Sequence, residues 1–167
     1  DLPQCLDGLE YLAQEQNEGN IRVAWVDTAS IHRHPKRVLD ILKNCSISGE
    51  QIDCLIVGAG WANHLSCMCD SLLRRYFNDA HIVVLAVAFE DEDEENTKAA
   101  IYSIKRVPDM QAVYCGQGQS GFLNACKIAN EGNLPTVEIK SVKSWVRRNL
   151  FEALQAAQMA KKVRRKT

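Results

Sequence analysis

No stretch of this sequence approaches the roughly 20 apolar residues that a bilayer-crossing helix requires. The strongest apolar runs, Ile82 to Phe89 and Cys54 to Val57, fall far short of it. Nor does the sequence open with a basic segment leading into an apolar one, so no secretory signal is expected. Cysteine lacks the even count of a disulfide scaffold: the seven residues Cys5, Cys45, Cys54, Cys67, Cys69, Cys115 and Cys126 lie mostly inside apolar periodic segments. They read as reduced thiols of a cytoplasmic protein. Cys67-Met68-Cys69 lacks the two-residue gap of a zinc knuckle and has no second pair, so no metal is expected. What is present is an ordinary globular composition. With 167 residues, 46% of them hydrophobic and 25% charged, the chain can bury one full-sized core and fits one domain better than two.

Helical and strand patterns alternate along the chain. Leu2, Leu6, Leu9, Tyr11 and Leu12 repeat at roughly helical spacing, with Pro3 in the first turn, Asp1 at the N-cap and Gly19 near the end. Ile21 to Val26 reads as a strand, and Pro35 opens a helix through Val38, Leu39, Ile41 and Leu42. A strand at Ile52 to Val57, a helix from about Ala62 to Phe77 and a buried strand at Ile82 to Phe89 follow. The pattern continues with a helix from about Asn96 to Arg106, a strand at Gln111 to Cys115 and a helix from Ser120 to Ala129. The tail holds a short strand-like stretch, Thr136 to Ile139, and a long helix from about Val142 to Val163. Such alternation predicts a three-layer α/β/α sandwich around a parallel, flavodoxin- or Rossmann-like sheet, with a C-terminal helix. Opening on a helix is unusual for this class, where the first strand normally comes first and is central: either a strand lies upstream of Asp1, or the sheet is closed another way, or the chain starts on a surface helix.

Two stretches begin where a run of β-type residues stops: Ser30-Ile31-His32-Arg33-His34-Pro35 and Gly58-Ala59-Gly60-Trp61-Ala62-Asn63-His64-Leu65. Each sets a histidine beside small residues at the carboxyl end of a strand, where open α/β sheets hold ligands. Read from the residues alone, His32 is an acid/base candidate or a loop histidine capping the next helix. His64 is a pocket residue or a helix-start histidine satisfied by backbone. Arg33 is an anion ligand or an exposed arginine, and Gly58 and Gly60 admit a ligand or simply make a tight turn. His34 and His81 read as surface residues.

These motifs resemble those of the 5-(carboxyamino)imidazole ribonucleotide mutases and aminoimidazole ribonucleotide carboxylases of purine biosynthesis. Ser30 to Pro35 match the family's Ser-Ala-His-Arg-Thr-Pro, and Gly58, Gly60, Ala62, His64, Leu65 and Met68 match its Gly-x-Gly-Gly-Ala-Ala-His-Leu-Pro-Gly-Met. Ala100 to Ile104 and Val107-Pro108 follow its Leu-Leu-Ser-Ile-Val-Gln-Met-Pro segment, so the resemblance spans roughly residues 1 to 130. Asp1-Leu2-Pro3 is similar to the end of the family's phosphate loop, which follows its first strand. Trp61, Asn63, Ser66 and Cys67 depart from the second motif. The loop Glu90-Asp91-Glu92-Asp93-Glu94-Glu95 replaces one that normally carries Pro, Ser and Gly.

The resemblance implies a mutase that moves a carboxylate from an exocyclic nitrogen to a ring carbon of aminoimidazole ribonucleotide, through release and recapture of bound carbon dioxide. A direct aminoimidazole ribonucleotide carboxylase is the alternative; Ser30 to Pro35 and Gly58 to Leu65 fit the bacterial, mutase form better. A non-catalytic ligand-binding or assembly protein of the same fold, or a carboxylase of another heteroaromatic substrate, would also accommodate the departures. The chemistry needs one group to deliver and remove a proton near neutral pH, which suits a histidine with an ordinary pKa of about 6.5. The implied catalytic residues are His32 and His64. The implied substrate ligands are Asp1 on ribose hydroxyls, Ser30 and Arg33 on phosphate, and Gly58, Ala59, Gly60 and Leu65 around the base. The resemblance further implies a homo-octamer with no cofactor. Residues 1–133 would form the ribonucleotide-binding catalytic domain, with 134–167 a helical extension packing on that domain or on a neighbouring subunit.

Two features compete with this reading. Gly116-Gln117-Gly118-Gln119-Ser120-Gly121 matches the G-x-G-x-x-G of dinucleotide sites, with Glu138 on a strand-like stretch beyond. Too little chain follows it to complete a dinucleotide half, so such a cofactor is not expected. From Lys140 to Thr167 there are nine Lys and Arg against one acid, Glu152. Aromatics are not interleaved with them, and Leu150, Phe151, Leu154 and Ala157 form an apolar stripe, so packing on a neighbouring subunit is expected rather than nucleic-acid binding. The acids from Glu90 to Glu95 read as a solvated helix entry.

Overall fold

The computed structural model describes residues 2–47, 51–141 and 150–164. A 3-10 turn, Leu2–Cys5, leads into α1 (Leu6–Asn17). There follow α2 (Pro35–Ile47), β1 (Cys54–Ala59), α3 (His64–Arg75), β2 (Val83–Ala88), α4 (Glu94–Lys105), β3 (Val113–Gln117), α5 (Gly118–Glu131) and α6 (Leu150–Arg164). The three strands form a parallel sheet in the order β1-β2-β3. Helices cover both faces, which is the α/β sandwich that the alternating pattern predicts.

Strand β2 explains the layering. All six of its residues are buried, as expected for a strand sandwiched between helices. Because side chains alternate across a strand, Val83, Leu85 and Val87 join Cys5, Leu12, Phe122 and Cys126 on one face, under α1 and α5. Val84 on the other face meets Val38 and Leu42 of α2 and Leu73 of α3, while Ala86 and Ala88 meet Ala100 and Ile104 of α4. The register between β2 and β3 slips at Ala86/Val87, where Cys115 is the extra residue and Gly116 takes a φ of +126°.

Two expected strands are not formed. Residues 21–26 carry no ladder although Ile21 and Val23 pack toward the first core. The Val23 N–H is taken by the Gln16 side chain at 2.7 Å, and β1 ends the described sheet on that side. A cavity of about 410 Å³ opens there, lined on one side by Ile21, Val23 and Trp25 and on the other by Cys54, Ile56 and Gly58. Strand patterning cannot make a strand without a neighbour at hydrogen-bonding distance. Thr136 to Ile139 is likewise unpaired, because its neighbour is a side chain: the Gln111 amide donates to the Glu138 carbonyl at 2.7 Å and accepts from the Glu138 N–H at 2.8 Å. Leu134 and Val137 pack into the first core, and Arg75 donates to the Lys140 carbonyl.

Boundaries shift by a few residues at most of the other elements. Helix α5 starts at Gly118 rather than Ser120, directly on the end of β3. The expected N-cap Asp1 and residues 142–149 of the expected terminal helix lie outside the described residues. In α6, Leu150, Phe151 and Leu154 are exposed. Among the described residues no helix is long and apolar enough to cross a membrane. All seven cysteines are free thiols. Burial pushes Cys45, Cys54 and Cys115 up to about 11 and Cys69 and Cys126 up to about 12, which disfavours the reactive thiolate at all five.

Candidate active site

The carboxyl end of β1 and the entry to α2 bring the two motif histidines together. His32 Nε2 lies 2.8 Å from His64 Nδ1, with the ring centroids 5.0 Å apart and the planes at 70°. Residues 32 positions apart in the chain thus share one hydrogen bond on the exposed side of the sheet's carboxyl edge.

The His32 loop is built by Ser30 and Pro35. The Ser30 carbonyl accepts from the His34 N–H at 2.7 Å and its hydroxyl from the Arg33 N–H at 3.4 Å, closing a turn around His32. Pro35 then occupies the first position of α2, where its missing N–H costs nothing. Ala29 and Ile31 pack toward the second core and anchor the loop, while Arg33 and His34 point to solvent. His81 is also at the surface, 3.0 Å from the Asp53 carboxylate.

The second motif is tightly constrained. Trp61 and Asn63 both have positive φ, 53° and 34°, and the turn between them is closed by the Asn63 N–H donating to the Gly60 carbonyl at 3.1 Å. Asn63 caps α3 by accepting from the Ser66 N–H. His64 is therefore the first residue of α3. Gly58 has a packing reason: a Cβ there would stand 2.3 Å from the Phe89 ring. Gly60 is open, with nothing nearer than 3.8 Å to such a Cβ. Ala59 ends β1 and accepts from the Phe89 N–H at 2.9 Å, and Leu65 packs toward the second core. Trp61 is 67% exposed beside the histidines.

The acidic loop borders the same edge. Its backbone is ordered by its own side chains: Asp93 caps α4 by accepting from the Glu95 N–H at 2.9 Å, and Asp91 accepts from the Asp93 N–H at 3.0 Å. Hydrogen bonds from Asp93, Asn96 and the Trp61 side chain hold the Asp91 carboxyl below its ordinary range, so the two divergent segments touch. Among the described residues no cluster of three or more His, Cys, Asp or Glu could hold a metal.

The glycine-rich turn has packing reasons for its glycines. A Cβ on Gly121 would lie 2.4 Å from the Gly116 carbonyl carbon, so these glycines let strand and helix touch. The Glu90 carboxylate stands 2.7 Å from the corresponding position on Gly118 and accepts from the Gln117 amide at 3.1 Å. In that position the carboxylate disfavours an anion at the start of α5, where this motif would have to receive one. Glu138, unpaired in any strand, completes no dinucleotide unit.

Reasoning from sequence singled out both histidines but treated Asn63 and Ser66 only as departures. The structure buries both and bonds them to each other on either side of His64 at the start of α3. Asn three residues before Ser at a helix start has the spacing of a cap, and that signal was available.

A family model described as AIR carboxylase matches residues 5–143. No curated protein matches the chain. The matched region holds the entire sheet, α1 to α5 and both histidines, and on that extent the chain belongs to the AIR carboxylase family.

Proposed function

We propose that this chain is the mutase that converts 5-(carboxyamino)imidazole ribonucleotide to 4-carboxy-5-aminoimidazole ribonucleotide. Family membership supports the coarser statement, a carboxylase- or mutase-type role in purine biosynthesis. The observation that carries the finer reading is the 2.8 Å contact between His32 Nε2 and His64 Nδ1.

The reaction is balanced in protons. The carbamate nitrogen gains a proton as its bond to the carboxyl carbon breaks and carbon dioxide is released. The ring carbon then attacks carbon dioxide and gives up its own proton. One proton must be delivered and one removed. A neutral imidazole pair joined through one N–H always leaves one lone pair and one N–H at its outer nitrogens, His32 Nδ1 and His64 Nε2. When the outer N–H has been given to the carbamate nitrogen and the outer lone pair has taken the ring-carbon proton, passage of the shared proton across the 2.8 Å hydrogen bond leaves both rings neutral with those two roles exchanged. Such a pair acts as acid and base in one turnover without a cofactor.

In this reading Arg33 and the turn at Ser30 hold the phosphate and Asp1 the ribose. Gly58, Ala59, Gly60 and Leu65 shape the wall around the base, with Gly60 giving backbone access. Residues 1–133 serve as the catalytic unit and those from 134 as an extension. The exposed Leu150, Phe151 and Leu154 would pack on a neighbouring subunit of a homo-octamer. A coupled spectrophotometric assay tests the proposal. Turnover of the carboxyamino substrate alone supports the mutase. Turnover only of aminoimidazole ribonucleotide with bicarbonate makes it the direct carboxylase, and silence in both with folded protein replaces either with a binding or assembly role.

A further inference from the structure

We infer that Asn63 and Ser66 form a buried clamp that positions His64 against His32, so that Asn63 is a positioning residue for the histidine pair. The inference rests on the acid/base reading of that pair.

Asn63 is 2% exposed and Ser66 fully buried, and both are polar. A buried amide and hydroxyl are costly unless bonded, and here they bond to each other and, beyond the helix start, to one strand each. The Asn63 amide N–H donates to the Val87 carbonyl of β2 at 2.8 Å. Because Val87 offers only an acceptor there, the amide is oriented with its oxygen toward α3, where it accepts from the Ser66 N–H at 3.3 Å. The Ser66 hydroxyl lies 2.8 Å from that same amide oxygen and 3.1 Å from the Val57 carbonyl of β1, two acceptors for one proton. The first turn of α3 is thereby tied to both β1 and β2, and His64 sits between the two tied residues.

The backbone argues the same way. Trp61 and Asn63 hold left-handed conformations that non-glycine residues avoid at a cost on the order of 1–3 kcal/mol. Asparagine tolerates that region better than most residues, and a bulky tryptophan does not. Such a turn persists only where its surroundings over-determine it, and the clamp supplies that constraint. The contact it serves is demanding. A 2.8 Å nitrogen–nitrogen bond between rings crossed at 70° is lost if the start of α3 moves by about 1 Å, a displacement that can cost on the order of 100-fold in rate.

The test uses the full chain with 15N-labelled histidine. Asn63→Gly accepts the positive φ and removes only the side-chain bonds; Ser66→Ala removes the hydroxyl and keeps the Asn63 amide on Val87. A scalar coupling between His32 Nε2 and His64 Nδ1 is expected in the wild-type protein and should be lost in both variants. Far-UV circular dichroism should stay unchanged. In the assay kcat should fall about 10- to 100-fold while KM stays within about twofold. If only one variant folds, that one decides. A coupling that survives in a folded variant overturns the clamp, and so does a wild-type protein that never shows it. The coupling is read without turnover, so an inactive protein that loses it in the variants refutes the mutase while leaving the clamp standing.

Discussion

Arg74 and Asp70, one turn apart on α3, form an ion pair at 3.4 Å with both side chains almost wholly buried. The guanidinium also donates to the Asp79 carbonyl at 2.6 Å and to the Ile82 carbonyl, while the second Asp70 oxygen accepts from the Gln111 N–H at 2.9 Å. This group joins the end of α3 to the starts of β2 and β3, at the sheet edge opposite the histidines. Arg74→Met should therefore cost about 3–5 kcal/mol of stability in urea unfolding, because it leaves Asp70 buried and unpaired.

Asp79 makes stability depend on acid. Burial raises its pKa, but hydrogen bonds from the Ile82 N–H, the Ser46 hydroxyl and the His81 N–H, with the Arg74 charge, outweigh that and leave it below its ordinary value. A carboxyl depressed in the folded state stabilises above its unfolded pKa, about 3.9, and loses that contribution as pH falls through the lower folded value. Asp79→Asn should be about 1–2 kcal/mol less stable than the wild type at pH 7, with the difference closing below about pH 4. A constant difference across urea titrations at pH 7, 4 and 3 would refute the assignment.

His32→Asn should lower kcat at least about 100-fold with nucleotide affinity retained, since one proton carrier is lost and the phosphate ligands are not. Calorimetric titration of the substrate beside the rate assay separates the two effects. Unchanged turnover removes His32 from the chemistry.

Arg33 projects to solvent with no bonded partner for its guanidinium among the described residues. If it holds phosphate, Arg33→Ala should weaken binding of the nucleotide about 10- to 100-fold and leave the corresponding nucleoside within about twofold. Equal loss for both ligands would assign Arg33 elsewhere.

Gly58 and Gly60 separate packing from access. Gly58→Ala drives a methyl into the Phe89 ring and should cost about 1–3 kcal/mol, lowering Tm by about 2–10 °C. Gly60→Ala meets open space and should move Tm by less than about 2 °C. A differential scan of both proteins checks the contrast.

Local pattern determined much of this protein. The short, β-branched apolar run at 82–89 reads as a strand buried on both faces, and Pro35 followed by apolar residues at helical spacing reads as a helix start. The two histidine motifs are legible for the same reason: each is a short contiguous string. Ladder partners, by contrast, are not local. Residues 21–26 and 136–139 carry strand composition, yet the first borders a cavity and the second meets the Gln111 side chain, so neither becomes a strand. Tertiary structure alone decided that Gly58 makes room for Phe89 while Gly60 stays open. It placed the Glu90 carboxylate over Gly118, and turned Asn63 and Ser66 from departures within a motif into a buried clamp. It also decided the 2.8 Å bond between His32 and His64. Periodicity reports which face of a segment is buried; which atoms meet across that face depends on residues distant in the chain, and the site is made of such meetings.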